Sequence, residues 1–156
     1  MKVNKKLTAG SVIAIVAACL TIVSYIVYAM NLGGDGYFHG SAITQMPLTW
    51  AAVAALAVGV VLSLIPVKGA AAKVVELVTG LLQIAAPVLL AFCLINLIAG
   101  RVEGLGFIYF SNADVAKEVQ TAANMSSASM AIASMVCYAV SMLAAMVSSF
   151  VDLKKD

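Results

Sequence analysis

Few residues in this chain are equipped for chemistry, and their spacing limits what they can do. The single histidine, His39, sits in a glycine-rich stretch with Asp35 as its only close carboxylate. The three cysteines, Cys19, Cys93 and Cys137, each stand alone within an apolar run, which suits small core-packing residues better than disulfides or a zinc site. No C-x-x-C, H-E-x-x-H or phosphate-loop pattern occurs, so the expectation is a protein that is not an enzyme and holds no metal or cofactor.

Polar groups inside apolar runs are the remaining candidates, because each needs a partner that hydrocarbon cannot supply. Glu76 follows Lys73 by three residues, a spacing for an ion pair or for snorkelling at the rim of a span. Gln83 lies deeper and must find a hydrogen-bond partner. Asn96 is thirteen residues further on, which on a helix is about 20 Å along the axis and about 140° around it. Gln83 and Asn96 therefore cannot share a site, and a kink at Pro87 would not unite them. At the depth expected for Asn96 the other runs bring Tyr25, Tyr28, Trp50 and either Ser127 or Ser129. With Arg101 and the aromatic stretch 107–110 as a cap, these residues make a candidate outer polar pocket: Tyr25, Tyr28, Trp50, Asn96 and Arg101. The competing reading of the same residues is an interfacial aromatic belt with hydrogen bonds between helices.

Two small-residue stripes are candidate helix contacts. Ala133, Cys137, Ser141, Ala145 and Ser149 recur every four residues, as do Ala51, Ala55, Gly59 and Ser63. Small side chains let helix backbones approach closely in lipid, within one bundle or between molecules. Ser127, Ser134, Ser141 and Ser148 fall at intervals of seven, which drift only about 20° per step and make a continuous polar face possible.

The elements that must carry these residues follow from composition. Of 156 residues, 63% are hydrophobic and 10% charged, with mean hydropathy +1.07. That is far too apolar for one soluble core, and the bilayer is the first expected partner. Four apolar runs are expected to span: residues 7–30, 47–66, 74–100 and 127–151. Outer loops 31–46 and 101–126, an inner loop 67–73 and an inner tail 152–156 join and end them, forming a single membrane domain. Pro47 and Pro66 bracket the second run at positions that suit a helix start and end. Val16-Ala17-Ala18-Cys19 has the form of a lipidation box, but residues 20–30 stay apolar where a processed lipoprotein turns polar, so a span is expected there. In the second outer loop Ser111 and Asp114 fit a capping box, and no Gly or Pro follows to the end. The fourth helix is therefore expected to start near residue 112 and extend outside the bilayer.

Lysine placement orients the chain. With the N-terminus inside, Lys2, Lys5, Lys6, Lys68, Lys73, Lys154 and Lys155 face the cytoplasm against only Arg101 and Lys117 outside. The expected fold is an all-α antiparallel bundle of four transmembrane helices in the plasma (inner) membrane, both termini cytoplasmic. The basic residues form no nucleic-acid-sized patch, so nucleic acid is not expected as a partner. By elimination the chain reads as a non-catalytic subunit or accessory component of a membrane assembly, partnered by another membrane protein or by itself. A self-associating channel or transporter protomer, lined by the seven-spaced serines, is the alternative.

Overall fold

The computed structural model describes residues 8–41 and 45–151, all helix and connecting turns among those residues. The lysines at 2, 5, 6, 154 and 155 and the tail 152–156 lie outside the described residues. Four long helices are apolar enough to cross a membrane: α1 (Ala9–Gly33), α2 (Met46–Leu64), α3 (Ala70–Phe110) and α5 (Ala122–Ser149). A two-turn helix, α4 (Ala113–Val119), stands between the last two.

Local chemistry sets the ends. The Thr8 side chain accepts from the Ser11 N–H at 3.2 Å to start α1, and Pro47 occupies the first turn of α2, where its missing N–H costs nothing. Gly69, at φ 70°, turns the chain into α3 without the steric penalty of a Cβ.

The over-long helix is the third rather than the fourth. α3 runs on for 41 residues, through the stretch 101–110 expected to belong to the second outer loop. At about 1.5 Å per residue it measures about 60 Å, roughly twice a hydrocarbon core. The expected helix from residue 112 is broken instead at Gln120 and Thr121. The Thr121 hydroxyl accepts from Asn124 N–H and starts a new helix there, so a side-chain cap prevails over an unbroken run of helix formers. The cap of the short α4 is likewise Asn112, accepting from Val115 N–H at 3.0 Å. Ser111 instead closes α3.

α1, α2, α3 and α5 form a ring in which each packs on its two neighbours. The buried positions of α1, Ala14, Ala17, Thr21, Ser24, Tyr28 and Asn31, alternate in steps of three and four. So do Ser134, Tyr138, Ser141, Ala145 and Ser148 on α5. This 3.5-residue period is that of shallow, left-handed helix packing. The seam is small and hydroxylated: Ser24 and Ser141 meet at 2.9 Å, and Ser127 donates to Asn31 Oδ1 at 3.0 Å. Bulky apolar residues such as Leu77, Ile84, Phe92 and Val136 point outward.

Gln83 finds its partner on α5, donating to the Ser148 carbonyl at 3.0 Å. The reverse contact explains how Pro87 is tolerated. Pro87 lies inside α3 and has no N–H, so the carbonyl four residues earlier, that of Gln83, loses its helical donor. The Ser149 hydroxyl donates to that carbonyl at 2.7 Å. Ser149→Ala is therefore expected to lower stability by about 1 kcal/mol. The loss should largely vanish in a Pro87→Ala background, where residue 87 supplies the donor itself. A double-mutant cycle of unfolding in mixed micelles measures the coupling; equal losses in both backgrounds would exclude this account.

Candidate functional site

The buried seam of α3 runs Ala86, Leu90, Cys93 and Leu97, and the same stepping continues to Arg101, Gly104 and Ile108. The periodicity thus carries a guanidinium into the bundle: Arg101 is 5% exposed. It faces the segment that follows α1. That segment is held by two glycines of different function. A Cβ on Gly36, at φ +139°, would stand 2.6 Å from the Ala123 carbonyl oxygen, and one on Gly104 would stand 2.5 and 2.7 Å from ring atoms of Tyr37 and Phe38. Both positions are close approaches that only glycine allows.

Phe38 is thereby seated, 3% exposed, against Ile108, Ala128 and Ala131. Its N–H donates to Ser127 Oγ at 3.3 Å, while the following turn closes with Gly40 N–H on the Leu32 carbonyl. The guanidinium carbon of Arg101 lies 4.5 Å from the Phe38 ring centroid and 5.8 Å from that of Tyr28, within the range of cation–π attraction. Beside it opens a pocket of about 230 Å³ between α1, the start of α2 and α3. Among the described residues it is lined by Tyr28, Asn96, Leu97, Gly100 and Arg101, with Ser41 and Gln45, and by no carboxylate.

Of the five residues expected in an outer pocket, Tyr28, Asn96 and Arg101 line this one. Tyr25 and Trp50 do not. They pair with each other at 5.9 Å between ring centroids, and Trp50 is 45% exposed. The stretch 107–110 does not cap it either: Phe107 stands against Tyr37 at 6.0 Å, and Phe110 points outward. Ser129 bonds back to the Met125 carbonyl, and Ser127 serves Asn31 and Phe38. Sequence reasoning missed Phe38, Ser41, Gln45 and Gly100. The available signal was the heptad of α3 continuing past residue 100.

The stripe Ala133, Cys137, Ser141, Ala145 and Ser149 does not keep to one side. Ala133 is exposed, Cys137 half-buried, and Ser141 and Ala145 buried. Four-residue steps advance about 40° beyond a full turn, so over sixteen residues the stripe winds about 160° around the helix. The seven-spaced serines stay aligned and are all buried in the bundle. Ser134 and Ser148 bond carbonyls of their own helix. Of the cysteines, Cys93 is buried, Cys137 half-buried and Cys19 exposed. Cys93 joins a hydroxyl cluster in which Thr49 Oγ1 lies 2.8 Å from Tyr138 Oη and 3.6 Å from Cys93 Sγ. His39 is exposed, its Nδ1 on the Gly34 carbonyl. Among the described residues no group of His, Cys, Asp or Glu is placed to hold a metal ion.

Comparison with protein-family models, curated proteins and solved structures finds no match to this chain.

The seat of Phe38 is testable by contrast within α3. A Cβ on Gly106 would meet nothing within 4 Å, so Gly106→Ala should stabilise by up to about 1 kcal/mol through helix propensity. Gly104→Ala has the same propensity gain but must displace two rings, an overpacking cost of about 1–3 kcal/mol. It should therefore unfold at a lower midpoint than Gly106→Ala; equal midpoints would mean that the aromatic seat contributes nothing.

Proposed function

We propose that this is a four-helix integral membrane protein, an antiparallel bundle with both termini cytoplasmic, acting as a non-catalytic accessory subunit of a plasma (inner) membrane assembly. Insertion is supported by the inside-out distribution of side chains. Serine, threonine and alanine fill much of the contact between α1 and α5, and although Leu56, Val60, Leu90 and Leu97 are also buried, many more large aliphatic residues face outward along all four long helices. In water so large an apolar surface would drive aggregation; in lipid it is the ordinary exterior. The excess of lysine at the ends and in the 65–69 turn supports the orientation.

The observation that carries the subunit reading is on α3. Near its start, Lys73, Glu76, Leu77, Gly80, Leu81 and Ile84 line an open furrow of about 440 Å³. A Cβ on Gly80 would meet nothing within 4 Å, so this helix presents a glycine notch between aliphatic ridges. A helix of another membrane polypeptide can lay a ridge into such a notch at close backbone distance.

The mass and composition of the particle extracted gently from its native membrane test this reading. A stoichiometric foreign polypeptide is expected with the native chain. Gly80→Ile, which fills the notch on an outward face, should release it while leaving the bundle folded. A particle made of this chain alone would overturn the subunit reading and favour self-association.

A further inference from the structure

The pocket beside Arg101 holds an unusual charge. The guanidinium is buried, and its interactions with described residues are with ring faces, those of Phe38 and Tyr28. A ring face attracts the guanidinium charge without offering a lone-pair acceptor as strong as an oxygen. Among the described residues the pocket wall has no acid. A buried cation with no carboxylate beside it is costly until an anion joins it.

We infer that the pocket binds a phosphate group, as a phosphomonoester or phosphodiester, with Arg101 as its anchor. Guanidinium donors match two phosphate oxygens in a bidentate pair. The Ser41 hydroxyl and the Asn96 amide stand on the same wall and supply further donors. The absence of acid from the wall selects against cations. At about 230 Å³ the space is below the roughly 300–1,000 Å³ of pockets for drug-sized ligands and suits a headgroup-sized fragment. Two sources offer this chemistry. Arg101 directly follows the apolar run 74–100 of α3, the level at which lipid phosphates meet a spanning helix; a free phosphate reaches the same opening from water. Only the lipid source depends on the membrane reading above.

The test uses the full chain purified in a maltoside detergent, which carries no phosphate, with thermal unfolding followed at constant ionic strength. Phosphatidylglycerol, diacylglycerol or inorganic phosphate is titrated separately. A site ligand at a hundredfold excess over its dissociation constant should raise the midpoint by about 5 °C or more. A rise with phosphatidylglycerol alone assigns the lipid source, and a rise with inorganic phosphate as well shows that the free anion suffices. Arg101→Gln should abolish the shift. If that variant does not fold, Asn96→Leu, at an exposed position, should raise the half-saturating concentration about tenfold. The inference is overturned if neither phosphate compound shifts the midpoint, or if diacylglycerol matches phosphatidylglycerol. It is equally overturned by a full shift in Arg101→Gln, or by unchanged half-saturation in Asn96→Leu.

Discussion

Close approach between α1 and α5 is the constraint on which the rest of the structure depends. Their facing positions are alanine, serine and threonine, with tyrosine and asparagine towards one end. Each small side chain is what lets the two backbones come near enough for Ser24 to meet Ser141. In the bilayer proposed for these helices, burying apolar surface would bring no advantage over contact with acyl chains, so packing distance and hydrogen bonds would hold them together. The remaining helices are set by this pair. α3 clasps α5 through Gln83 and Ser149, and α2 reaches α5 across the ring through Thr49 and Tyr138.

The same logic explains how polar groups are tolerated. The seven-spaced serines of α5 are buried in the bundle, and their hydroxyls bond carbonyls of their own helix or residues of α1. Ser149 does more, since it repairs the ladder that Pro87 interrupts. Arg101 stands apart from this pattern. Its neighbours are aromatic faces, which attract its charge without offering a lone-pair acceptor as strong as an oxygen.

Much of this was legible in the residues. Four apolar runs announced four long helices, and Gln83 announced the need for a partner. Tyr28, Asn96 and Arg101 meet because aromatic, amide and cationic groups at similar depths share one end of the bundle. What misled was local chemistry read without its neighbours. Gly104 and Gly106 look like turn residues, yet both sit within α3: the rings of Tyr37 and Phe38 pack where a Cβ of residue 104 would be, while a Cβ on Gly106 would meet open space. Ser111 and Asp114 resemble a capping box, but Asn112 and Thr121 take the caps, and competition between adjacent cap formers is decided by how the chain is held at both ends. Tyr25 and Trp50 have the same depth as the pocket but a different azimuth, which hydropathy does not encode. The four-residue stripe drifts around α5, so only part of it, Ser141 and Ala145, lies in the buried seam, whose residues repeat every 3.5.

The separation of Ser24 from Ser141 along the chain, 117 residues, sets an order on biogenesis. α1 is synthesised before its principal partner, so until α5 follows, Asn31 lacks Ser127 and Ser24 lacks Ser141, although the Thr21 and Ser24 hydroxyls bond carbonyls of α1 itself. The seat of Phe38 inherits the same delay, since it needs the start of α5. Long-range closure of this kind is slow compared with hairpin formation between neighbours. A chain that stops before α5 therefore leaves the inner face of α1 without its main packing partner, a state distinct in its exposed small-residue seam from the finished bundle.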